Sequence, residues 1–118
     1  MEVPDATQAA LGKALEATAL RHQALSENIA NANTPGYQRR DVRFADQLAL
    51  ALREGRDAVE AVEPEVEADP MGVVQVDGNG VDIDVEAAEL AANGMLYQAL
   101  ATAKKARGSI VKSALGVG

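Results

Sequence analysis

Asp77, Asn79, Asp82 and Asp84 set oxygen donors close together, which is the raw material of a calcium loop. An EF-hand loop counted from Asp77 needs Asp or Asn at its fifth position, Gly at its sixth and Glu at its twelfth. Those positions hold Val81, Asp82 and Ala88, so the pattern fails. A single calcium-binding nonapeptide has no neighbouring copy on which to stack. Asp77-Gly78-Asn79-Gly80 reads instead as turn chemistry, followed by a helix cap at Asp84 or Asp82. His22 and Ser26 lie one helical turn apart, but a triad also needs an orienting carboxylate and an oxyanion hole, and no glycine-rich elbow stands near them. The chain carries no phosphate loop, zinc spacing or cofactor fingerprint. Arg39-Arg40 and Lys104-Lys105-Ala106-Arg107 are basic, yet no aromatics interleave with them as a nucleic-acid platform requires. The residues therefore assign no catalytic group, cofactor or metal, and an enzyme is not expected.

Composition agrees. The 118 residues make one domain, read here as 1–118, with Tyr37, Phe44 and Tyr97 as its aromatics and no Trp. Few aromatics and abundant alanine suit long thin helix pairs better than a thick core. No cysteine means no disulfide framework. Met1-Glu2-Val3-Pro4-Asp5 lacks the basic and apolar regions of a cleavable signal peptide. No apolar run approaches the roughly 20 residues of a membrane span, so a soluble product is expected. The net charge of −7 is unevenly placed: residues 1–53 are neutral, 54–89 carry −11 and 90–118 carry +4. An acidic middle disfavours nucleic acid as a partner and favours protein surfaces of alternating sign.

The elements that position these residues are mainly helical. From Thr7 to Ala32 the row Leu11, Leu15, Thr18, His22, Leu25, Ile29 and Ala32 falls at spacings of four and three. That heptad seam predicts a helix over 7–32, roughly 39 Å long at ~1.5 Å per residue. Such a helix needs a partner, because helical stability comes mostly from packing. After it, Gln38 to Phe44 reads as extended, and Phe44, Leu48 and Leu52 mark a short helix that Gly55 stops. Residues 56–70, broken by Pro64 and Pro70, read as an acidic loop or at best an edge strand. Val73–Val76 and Val81–Ile83 predict a small hairpin about the glycine turn. A last helix over 84–115 carries the seam Val85, Ala88, Ala92, Leu96, Ala99, Ala103, Ala106 and Ile110, with its cations in the second half where the helix dipole favours them. The expected fold is mainly α: long terminal helices pairing antiparallel in coiled-coil manner, with a small extended and loop region over 33–83.

The stretch that organises this plan is Asn28-Ile29-Ala30-Asn31-Ala32-Asn33-Thr34-Pro35-Gly36-Tyr37. Asparagine tolerates the left-handed geometry that closes a helix. Thr34, before proline, is pushed extended. Pro35-Gly36 suits the centre of a type II turn, with Tyr37 as an aromatic anchor. Together with Ser26, Asn28 through Asn31 and Thr34 through Tyr37 resemble the N-terminal signature of the bacterial flagellar axial proteins, the rod, hook and junction subunits. Asp41 and Phe44 match the stretch that follows in the proximal-rod members. Gly78-Asn79-Gly80-Val81-Asp82, Asn93 and Leu96-Tyr97-Gln98 match the same members around the last helix. The likeness covers residues 11–48 and 77–115.

What the resemblance implies is a structural subunit of the proximal rod in the flagellar basal body, part of a torque-transmitting shaft. It implies export through the flagellar type III apparatus without a cleavable signal, and assembly with other rod proteins, a rod-base adaptor and the membrane-ring protein. In that reading Leu11, Leu15, Leu25 and Ile29 pack helix on helix. Asn28, Ile29, Ala30, Asn31, Thr34, Pro35, Gly36 and Tyr37 form the turn that docks a neighbour, and Leu96, Tyr97 and Ile110 face into the shaft. A soluble helical adaptor or chaperone-like module, or another rod subunit, is the alternative.

Overall fold

The computed structural model describes residues 2–69, 81–114 and 116, with side chains over 6–69, 81–109 and 116. Six elements follow one another: α1 (Glu2–Ala30), β1 (Arg40–Val42), α2 (Ala45–Glu54), α3 (Arg56–Ala61), β2 (Val66–Ala68) and α4 (Ile83–Ala114). The molecule is long and thin, with Cα extents of 60 × 26 × 13 Å.

α1 and α4 run antiparallel along the length. Asn28 faces Glu86, Thr18 faces Asn93 and Gln8 faces Lys104, so numbers rise on one helix as they fall on the other. α4 begins where Asp82 accepts hydrogen bonds from the N–H groups of Asp84 (3.0 Å) and Val85 (3.3 Å). The cap is thus Asp82 rather than Asp84, and Glu86 in the first turn complements the helix dipole.

The side of α1 that turns inward lies one residue back from the leucine row. Ala10, Ala14, Ala17, Ala24 and Asn28 are buried at heptad spacing, while Leu11, Leu15 and Ile29 are half-buried flanks and His22 is exposed. Leu25 and Thr18 are fully buried. Small residues let neighbouring elements approach the α1 axis closely, and two clusters result. Toward the N-terminus of α1, Ala10 and Ala14 meet Leu48, Ala51 and Val59 of α2 and α3, with Leu100 of α4 against them. Farther along, Ala17 and Ala24 meet Val42, with Leu20 and Val66 at the edge. Phe44 packs against both clusters and joins them.

The central region departs from the sequence expectation in three ways. Residues 56–70 are not merely a loop: Arg56–Ala61 form a helical turn against α1, and Val66–Ala68 pair antiparallel with β1 in the register Arg40↔Ala68, Asp41↔Glu67, Val42↔Val66. The small antiparallel pair of the fold is therefore built from 40–42 and 66–68, while the segment 73–80 lies outside the described residues and Ile83 already belongs to α4. In α2 the inward residues are Leu48 and Ala51, and Leu52 points out at 44 % exposure. Gly55, at φ 113°, lets α2 break into α3, a conformation that a side chain resists.

Candidate assembly interface

α1 ends without a left-handed asparagine, since no described non-glycine residue has positive φ. The last turn tightens instead. The N–H of Asn31 donates to Glu27 O (3.0 Å), that of Ala32 to Ile29 O (3.2 Å), and the Asn31 amide Nδ2 returns to Glu27 O (2.9 Å). The N–H of Tyr37 then donates to Thr34 O at 3.1 Å around Pro35 and Gly36, with Gly36 at φ 77°. That closing bond and the positive φ at the third position are those of a type II turn. The Thr34 hydroxyl donates to Asn31 Oδ1 at 3.2 Å, tying the turn to the helix end. Residues 33–36 stand exposed at the tip.

Asn28 anchors the turn from below. Its carboxamide is fully buried and all four of its hydrogen-bonding positions are filled. Oδ1 accepts from Arg40 N (2.9 Å) and from the Tyr37 hydroxyl (3.1 Å), while Nδ2 donates to Arg40 O (2.7 Å) and Glu86 Oε2 (3.2 Å). The side chain thereby pairs with both backbone groups of Arg40 as a neighbouring strand would. Burial, followed by the charge of Glu27, raises the Tyr37 pKa above the usual phenol value, which keeps this donor protonated.

Around Asn28 lies a polar network that joins four elements and their flanks. Arg39 bonds Glu86 through Nε (2.5 Å), reaches Asp69, and lies 3.4 Å from Asp41. Arg21 bonds Asp41 (2.8 Å) and Glu89 (2.9 Å). Glu86 is only 2 % exposed, so its charge is compensated inside the protein. The bond to Glu86 raises the Arg39 pKa against the opposing effect of burial, and the bond to Asp41 does the same for Arg21. Burial alone pushes Asp41 up, but Arg21, the Val42 N–H and the Arg39 charge outweigh it and hold the carboxyl below its usual range. Asn93, 1 % exposed, donates to Thr18 O at 2.8 Å and pins α4 to α1 one step farther on. Periodicity overlooked Arg21, Arg39, Asp69 and Glu86; the one available signal was Glu86 in a first helical turn.

The outer side of α4 is bare. The seam marked by periodicity is largely exposed, with Val85 at 53 %, Leu96 at 44 % and Ala88, Ala92, Ala99 and Ala106 also exposed and Ala103 half-buried. Met95 stands out at 73 %, and Ile83 and Tyr97 are also exposed. Nothing is described of the Ile110 side chain. Contiguous exposed apolar residues on a helix mark a surface that another molecule covers. Among the described residues no cluster of His, Asp or Glu is arranged to hold a metal, and no helix is long and apolar enough to cross a membrane.

The family profile described as "Flagella basal body rod protein" matches residues 9–38, the second half of α1 and the turn among them. The flagellar basal body rod protein FlgB of Escherichia coli (strain K12) is 36 % identical over 104 aligned residues, covering 73 % of this chain and 75 % of that protein. FlgB of Salmonella typhimurium is 35 % identical over the same shares. FlgB of Borrelia hermsii is 31 % identical, over 70 % of this chain and 76 % of its own length.

Proposed function

Since the chain belongs to the FlgB family of flagellar basal body rod proteins, we propose that it is a subunit of the proximal rod whose terminal helices pack side by side with those of its neighbours. It is a structural subunit of the flagellar basal body rod, and the family points to a non-enzymatic role. The observation that carries the finer reading is the exposed seam of α4, apolar at helical spacing and covered by none of the described residues. A subunit with such a face is completed by assembly, and a contact that does not close on itself extends into a shaft able to transmit torque. The turn over Thr34–Tyr37, held to Asn28 and exposed at its tip, is the second docking element. Partners in this reading are the other rod proteins, the rod-base adaptor and the membrane-ring protein. Delivery is through the flagellar type III export apparatus to the rod as it crosses the periplasm.

The test is incorporation. Leu96→Asp, on the bare face, should leave the helical content of the purified protein unchanged yet exclude it from isolated basal bodies and abolish swimming. Gly36→Val should also impair assembly, because a β-branched residue resists φ 77° although an added Cβ would meet no atom beyond its chain neighbours within 4 Å. Full incorporation of Leu96→Asp would remove the α4 face from the interface.

A further inference from the structure

A second uncovered surface lies between α2, α3 and β2, where a groove of about 540 Å³ opens to solvent. Leu50, 60 % exposed, and Val62 contribute its apolar floor, and Glu54, Glu63, Glu65 and Glu67 its rim. None of these four carboxylates has an ion pair or hydrogen bond among the described residues. Arg43, the base on the rim, faces Asp69 at 3.5 Å. Unpaired like charges beside an open apolar floor repel one another, and a cationic partner relieves that repulsion.

The complementary charge is on the same chain. In the second half of α4, Lys104 lies over Gly12 and lines a hollow with Glu60 of α3, Arg107 is half-buried, and Lys105 is exposed and forms no ion pair among the described residues. Neither α2 nor α3 brings a Cα within 8 Å of α4. Met95, 73 % exposed, lies about 15 Å from Lys105 along the helix and within about a quarter turn of it around the axis. A flexible thioether suits a shallow floor such as Leu50 and Val62.

We propose that the groove receives the middle of α4, residues 95–105, from a second copy of the chain, Met95 against the Leu50–Val62 floor and Lys105 among the rim glutamates. Each copy then offers a socket on one surface and its complement on another, so the contact is heterologous and propagates instead of closing as a pair. The inference rests on the rod-subunit reading and names one of its contacts.

Sedimentation velocity of the full chain over a concentration series is the experiment, run at low and high salt. The expected result is an open series of species that weakens at high salt, because exposed charges are screened. Glu63→Lys combined with Glu65→Lys, and separately Lys105→Glu, should each weaken association by about tenfold or more. Circular dichroism should show both variants folded, and mixing them should restore association, since each supplies the charge the other lacks. A wild-type chain that stays monomeric, a series that stops at a dimer, or reversals without effect overturns the proposal. Incorporation into basal bodies separates the two readings. A groove-reversed chain that enters rods and supports swimming removes this contact alone, whereas a wild-type chain that never enters rods removes the reading beneath it.

Discussion

The two ends of the helix pair are held by different physics. Near the N-terminus of α1 the contacts are apolar: Ala10 and Ala14 against Leu48, Ala51 and Val59. Near the turn they are directional, with Asn28, Arg39, Glu86, Arg21 and Asp41 bonded to one another and to backbone. Apolar packing is strong but tolerant of a shift, since it rewards area and volume more than orientation. A hydrogen-bonded network holds in one register only, because a slid helix leaves buried Glu86 without Arg39. The apolar end therefore contributes adhesion and the polar end contributes register, which an assembling helix pair needs beside the turn it presents.

The comparison breaks most sharply at Arg39. Arg39→Ala leaves Glu86, 2 % exposed, as an uncompensated buried charge, and should cost about 3–5 kcal/mol in chemical denaturation. Replacing both partners, Arg39→Met with Glu86→Leu, should recover part of that loss, the remainder being the contacts of Arg39 with Asp69 and Asp41 and of Asn28 with Glu86. A double variant as unstable as the single would mean that the pair stabilises in its own right and does not chiefly specify register. At the apolar end, Leu48→Ala should cost roughly 2 kcal/mol, the low end for a leucine truncation because the site is 8 % exposed at the surface of its cluster. Leu48→Met, which conserves volume, should cost less than about 1.5 kcal/mol. If the methionine variant were as damaged as the alanine one, this end would be as exacting as the other.

The same contrast explains what could be read from the sequence. The turn was legible because Thr34-Pro35-Gly36-Tyr37 specifies its own backbone, and the helices were legible because their patterns run for many turns. The inward side of α4 was not, since alanine occupies positions 87, 88, 91, 92, 99, 101, 103 and 106 and so lies all round the helix. Glu86 and Asn93 face inward because Arg39, Asn28 and Thr18 lie opposite, and such partners across the fold leave no trace in local spacing. The strand at Val66–Ala68 was legible only as the second of two readings, an edge strand, for a like reason: pairing with β1 supplies what its weak alternation lacks. The leucine row of α1 was displaced by one residue because the closest approach is made by alanines, which an apolar count ranks below leucine.

A smaller effect concerns Gly94, in the interior of α4 with open space where a Cβ would stand. Helix propensity alone predicts that Gly94→Ala stabilises the monomer by about 0.5–1 kcal/mol. The glycine lies beside Met95 and Leu96 on the bare helix, so a neighbouring subunit packed against it gains room from the missing methyl. A variant that melts higher yet enters rods poorly would show that the residue serves the interface. Higher stability with unimpaired incorporation would show that it does not.

The smallest effect is the acid limb of the polar end. Asp41 titrates below its usual range in the folded chain, so its contribution is fully present above about pH 4 and is lost as pH falls through the depressed value. Thermal melts of the wild-type chain should therefore drop in midpoint on acidification below that point. Asp41→Asn, which keeps the shape and removes the titration, should start lower at neutral pH and lose less, so the two curves converge in acid. Leu48→Ala alters no charge, and its curve should run parallel to the wild type throughout. Parallel curves for Asp41→Asn as well would mean that Arg21 and Arg39 are balanced by Glu86, Glu89 and Asp69 without it, and the register would then depend on the Arg39–Glu86 pair and Asn28 alone.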